Sequence, residues 1–231
     1  MSDASIASTT PVPASPGRLV RLAVEFGVLF GAVPVLLATD LINAPLIPVL
    51  LAFTAAIFVL LVRDSTFDRR CLWLGPGGWL RTRGEFRRIL LWFAVLGGAL
   101  SVLVVIFMPE RWLSLPREKT TLWAIIMVAY PVFSVYPQEV VWRAFLHHRY
   151  RQLFSGRWSL IAASAVAFGV MHVVFENWIA VVLTLMGGVL FAHTYERSRS
   201  TLAVSVEHAL YGCLVFTIGL GWFFYGGAVR G

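Results

Sequence analysis

The sequence predicts an all-α fold: a polytopic transmembrane helical bundle of about seven helices, with six to eight as the range its apolar runs permit. Three observations predict it. The 231 residues are 58% hydrophobic and only 13% charged, against roughly 45–50% and 25% in an average soluble domain. Mean hydropathy is +0.78, more apolar surface than a soluble core can absorb. The apolar residues also gather into runs of about 20, the length that crosses about 30 Å of hydrocarbon.

Taken in order, residues 1–17 (MSDASIASTTPVPASPG) mix Ser, Ala, Thr and Pro with a single acid and read as a disordered tail. They lack the basic segment of a cleavable signal, and the run after Arg21 is long enough to remain as a span. Residues 18–231 then form one transmembrane domain, with runs near 20–38, 42–62, 89–108, 121–145, 158–178, 179–195 and 201–225. The fourth contains Pro131 and Pro137, which predict a kink, and it can continue through HHRYRQ. A break near Gly219 or Gly221 would let the terminus return. There is no internal repeat, hence no support for a duplicated transporter. The basic 63–88 stretch, with Trp73 and Trp79 interleaved, suits anionic lipid headgroups.

Charge sets the expected topology. The net charge is +7, yet the chain has one lysine, Lys119, and no glycine-rich phosphate loop, so the charge reads as a membrane-orientation signal rather than a nucleic-acid footprint. With the tail and the 63–88 loop on one side, that side carries Arg18, Arg21, Arg63, Arg69, Arg70, Arg81, Arg83, Arg87, Arg88, Arg143, Arg149, Arg151, Arg157, Arg197 and Arg199. The other carries Arg111, Arg117, Lys119 and Arg230. The bias predicts a cytoplasmic N-terminus and favours an odd number of spans. Arginine in place of lysine points to a GC-rich bacterial genome, and so to a bacterial inner membrane. Cys71 and Cys213 lie in an Arg-rich segment and an apolar run respectively, which speaks against a disulfide.

Ionisable side chains cost at least about 2.5–3.5 kcal/mol in hydrocarbon, so those that persist face a partner, a cavity or a substrate. Glu139 and Arg143 lie four apart in PQEVVWRAF, on one helix face, where the guanidinium can neutralise or orient the carboxylate. His172 ends FGVMH, one turn after Phe168, and His208 opens HALYG. Each is singly compatible with a structural role. Together they place carboxylate, guanidinium and imidazoles on three different spans. Such a set in a water-accessible pocket can activate water against a carbonyl, with a second histidine donating to the oxyanion.

These residues resemble a known family. Glu139-x-x-x-Arg143, Phe168-x-x-x-His172 and the later His208 are similar to the three motifs of the CAAX protease and bacteriocin-processing (CPBP or Abi) family, the type II CAAX prenyl endopeptidases. The motif core runs from 138 to 212. The resemblance implies an intramembrane glutamate-type endopeptidase acting on a membrane-associated peptide or protein. In it Glu139 would activate water, Arg143 orient it, His172 share the proton and His208 serve the oxyanion. The chain departs from the pattern twice: Gln138 stands where the family has the first of two glutamates, and Gly212 where it has asparagine. An amide cannot act as a general base, and glycine has no donor, so His208 would need a backbone group, Tyr211 or another side chain.

Other readings stay open. Glu139, His172 and His208 also make a two-histidine, one-carboxylate set for zinc or iron, without a motif such as HExxH; the glutamate reading needs no cofactor. Loss of turnover would leave a membrane scaffold or an immunity-type protein. Cys213, five residues after His208, points about 140° away on one helix. Glu176 and Trp178 suit an interfacial anchor, His147 and His148 a snorkelling rim, and Gly187 and Gly188 close helix packing.

Overall fold

The computed structural model describes residues 15–39 and 45–224. Among them the structure is helical, with no strand. Six helices are long and apolar enough to cross a membrane: α1 Pro16–Ala38, α2 Leu46–Arg63, α3 Gly78–Phe107, α4 Thr120–Arg149, α5 Arg157–Phe175 and α6 Trp178–Ser198. The seventh, α7 Thr201–Thr217, has 17 residues, about 26 Å of rise. It stops before Gly219, whose φ of +99 and contact with the Arg111 backbone admit no side chain. A tight turn over Leu220–Phe224 follows. The tail expected over 1–17 lies outside the described residues as far as 14, and α1 starts at Pro16; the final residues, 225–231, lie outside them too.

The bundle is apolar outside and polar within. Large side chains such as Leu91, Ile106, Phe107 and Val128 are more than half exposed, an apolar belt of the kind a bilayer covers. Glu139, Arg143, His147, Ser164, Glu207 and His208 are all buried. Short links position the last three helices. The α5–α6 turn uses Glu176 in the left-handed region and Asn177, whose side chain accepts from the Ala180 N–H at 2.8 Å. The α6–α7 turn uses left-handed Arg199 and Ser200, whose hydroxyl accepts from the Ala203 N–H at 3.0 Å. These N-caps satisfy amides that a helix start leaves open. Two-residue turns force antiparallel neighbours, and α5 meets α6 where Gly188 lies against Ala165, the close approach expected of the glycine pair.

Helix α4 is not regular. Widened π-type turns run over Pro131–Val135 and Val140–Phe145, with Tyr136–Glu139 between them. Prolines 131 and 137 lack the N–H that an α-turn needs and crowd the preceding carbonyls; the wide turns absorb the misfit. Carbonyls released inside a membrane need donors. Thr54 of α2 donates to the Pro137 carbonyl at 3.3 Å, and Ser164 of α5 to that of Trp142 at 2.9 Å.

Two expectations are corrected here. The 63–88 stretch does not simply lie on headgroups: Phe67, Cys71 and Leu72 are buried while Trp73 and Trp79 stay exposed. Its backbone caps α7, since the Trp73 carbonyl accepts from the Leu202 N–H at 3.2 Å, and the Thr201 and Ser200 hydroxyls tie the two together by donating to the Cys71 and Trp73 carbonyls at 2.8 and 2.5 Å. His147 is not a snorkelling rim residue either. It is wholly buried because α6 covers it, with the Tyr195 ring 5.2 Å away and Glu196 2.8 Å from Nδ1. The two cysteines are free.

Candidate active site

The irregular part of α4 carries the site. Glu139 stands on the short α-helical stretch between the two wide turns and has no exposed surface. Wide turns of this kind recur at functional positions because they re-aim side chains. Glu139 Oε1 lies 2.7 Å from His208 Nδ1, and Oε2 lies 3.2 Å from Arg143 Nε. A carboxylate only accepts, so His208 donates through Nδ1, and in the neutral ring Nε2 is the acceptor. That nitrogen takes the Tyr130 hydroxyl at 3.0 Å. Tyr130, Glu139 and Arg143 all come from α4, and His208 crosses to them from α7.

Arg143 is held on every side. One nitrogen donates to Ser164 Oγ at 2.8 Å and to the Trp142 carbonyl at 3.2 Å. The guanidinium carbon lies 5.1 Å from the Phe168 ring and 5.9 Å from that of Phe191, both within cation–π range. Its Nε meets Glu139 as a charge contact without hydrogen-bond geometry. Among the described residues, Glu139 Oε2 and two Arg143 nitrogens have no hydrogen-bond partner. Unsatisfied buried groups are costly, so these atoms are the polar positions of the cluster still open to a hydrogen-bonding partner. Glu207, next to His208, is also buried with one oxygen unpaired.

His172 sits differently. Its Nδ1–H donates to the Phe168 carbonyl at 2.7 Å, four residues back, leaving Nε2 as an acceptor. Among the described residues it shares no hydrogen bond with Glu139 or His208. The Phe168 ring stands between the histidines, with centroids 4.6 Å from His172 and 5.5 Å from His208. The structure therefore joins Glu139, Arg143 and His208 directly and brings His172 next to them across one phenyl ring. Gln138, one residue from Glu139, turns elsewhere and donates to Ser134 Oγ at 2.7 Å.

A metal would need ligands converging on one point. Among the described residues no three His, Cys, Asp or Glu side chains are so placed, and the set Glu139, His172 and His208 does not fit zinc or iron. Sequence reasoning missed Tyr130, Ser164 and Phe191. His208 stacks on Phe191 at 4.5 Å and 18°. The intramembrane Ser164 was a readable signal, but the two aromatics were indistinguishable from their apolar surroundings.

Fold and site together define an all-α integral membrane protein with a buried carboxylate–imidazole–guanidinium cluster. Its residues 119–214 match the family model described as type II CAAX prenyl endopeptidase Rce1-like. That segment runs through α4 into α7 and contains Tyr130, Glu139, Arg143, His172, His208 and Gly212, so the resemblance read from the motifs stands. It supports a membrane endopeptidase-type function. No curated protein and no solved structure matches the chain.

Proposed function

We propose that this chain is an intramembrane endopeptidase of the CAAX-protease type, which hydrolyses a peptide bond of a membrane-associated protein through water activated by Glu139. The observation that carries the reading is the 2.7 Å bond between Glu139 and His208, made between two helices inside the matched segment. Arg143, 3.2 Å away, orients the carboxylate. Glu139 takes a proton from water as the water oxygen attacks the scissile carbonyl. The oxyanion then collapses, the C–N bond breaks, and the proton passes to the departing amine, with His172 Nε2 as the neighbouring acceptor. For His208 to serve the oxyanion, Nε2 must first gain a proton, as an imidazolium does, and then exchange its Tyr130 bond for the substrate oxygen. The arginine bias further supports a cytoplasmic N-terminus in a bacterial inner membrane.

The test is cleavage of a membrane-adjacent, prenylated C-terminal peptide by purified protein in liposomes. Glu139→Gln, His172→Ala and His208→Ala should each lower turnover by about 10²-fold or more while still inserting. Wild-type turnover in all three would overturn the proposal. Gln138 favours a second reading, a helical frame that has lost turnover, because its amide occupies the place where the family resemblance expects a base. A large gain in Gln138→Glu would support that reading, and a loss would support a site built around the amide.

A further inference from the structure

Gly212 stands four residues after His208, where the resemblance expects a polar side chain, and a Cβ there would run into the Tyr130 ring and hydroxyl. The space is therefore already filled. Tyr130 enters from the first α-helical stretch of α4, 82 positions earlier (212 − 130). Its ring packs edge-on against Phe216 at 5.4 Å and against His208 at 6.0 Å. Its hydroxyl ends 3.0 Å from His208 Nε2. Tyr211, on the same helix as His208, plays no such part, since its ring meets Phe93 at 5.3 Å and its hydroxyl has no hydrogen-bond partner among the described residues.

We propose that Tyr130 and Gly212 are a coupled pair in which the tyrosine hydroxyl replaces the missing side chain at 212 and acts as a positioning residue for His208. Two bonds then fix the imidazole from opposite ends. The Tyr130 O–H donates to Nε2, Nδ1 keeps the ring proton, and that proton is directed at Glu139 Oε1 at 2.7 Å. Loss of the hydroxyl frees Nε2, lets the ring proton move there, and removes the donor from Glu139. Glycine at 212 is required by the ring that covers it. Tyr130's part in turnover depends on Glu139 and His208 being the reaction centre; its part in setting the tautomer does not.

The experiment uses the full chain in lipid nanodiscs, labelled with ¹⁵N-histidine, together with the liposome cleavage assay. Wild type should show His208 with a protonated Nδ1 and an unprotonated, hydrogen-bonded Nε2. Tyr130→Phe should shift the Nε2 resonance, mix the tautomers, and lower kcat about tenfold with KM nearly unchanged. Tyr130→Ala should lower kcat further, and the double variant Tyr130→Ala with Gly212→Asn should recover most of that loss by placing an amide donor in the vacated space. An unaltered His208 spectrum in Tyr130→Phe would overturn the proposal, as would a double variant no better than Tyr130→Ala when Tyr130→Ala itself lowers cleavage. If no variant, Glu139→Gln included, changes cleavage while the spectrum still responds to Tyr130→Phe, the endopeptidase reading fails and the pairing stands.

Discussion

Replacing Arg143 by methionine isolates the energetics of the site. Arg143 and Glu139 are both wholly buried and 3.2 Å apart, so neither charge can turn to water. Removing one partner of such a pair typically costs about 3–5 kcal/mol, most of it the penalty of leaving the other charge uncompensated. The Ser164 hydroxyl loses the guanidinium donor, and the Phe168 and Phe191 rings lose a cation, worth a further ~1 kcal/mol. Arg143→Met should therefore destabilise the protein by about 4–6 kcal/mol. Glu139→Gln with Arg143→Met should recover most of it, because the amide oxygen still accepts from His208 and no charge is left buried. Equilibrium unfolding in mixed detergent micelles, arranged as a double-mutant cycle, reads the coupling directly. A loss below about 1 kcal/mol in the single variant, with coupling near zero, would refute the buried ion pair and with it the claim that Arg143 orients Glu139.

The α5–α6 seam gives a packing test. A Cβ at Gly188 would lie 2.9 Å from the Ala165 backbone, so Gly188→Val should cost about 1–3 kcal/mol of overpacking, and Ala165→Gly in the same chain should relieve part of it in the same unfolding assay. Outside the membrane, the Thr66 hydroxyl and then His148 hold the Asp64 carboxyl well below the usual carboxylate range, with bonds of 2.7 and 2.9 Å. A depressed folded-state value stabilises the fold above the unfolded value near about 4 and is lost as pH falls. Asp64→Asn should accordingly melt below wild type at pH 7 and converge on it in acid; a pH-independent gap would refute the assignment.

The membrane class was legible because it depends on a one-dimensional quantity. Runs of apolar residues reach the bilayer thickness whatever they pack against, and six of the expected runs return as helices of spanning length. Glu139 and Arg143 were legible as a pair because they are four apart on one helix, and helical spacing is a local property. His147 misled for the same reason. Its Arg-rich neighbours describe the chain around it, while its burial comes from Glu196, 49 positions later.

What tertiary structure alone decided is which polar groups meet. The family resemblance assigned His172 to the proton and His208 to the oxyanion; packing gave the Glu139 bond to His208 and turned the His172 Nδ1–H onto its own helix. It also set Tyr130 against His208 across 78 positions and in the space above Gly212, a partnership no local pattern encodes. Hydropathy is summed along the chain, so the sequence by itself determined that this protein crosses a membrane and which side chains must pay to be there. Hydrogen bonds depend on where separate helices bring their atoms in three dimensions, so the wiring of the buried cluster awaited the fold.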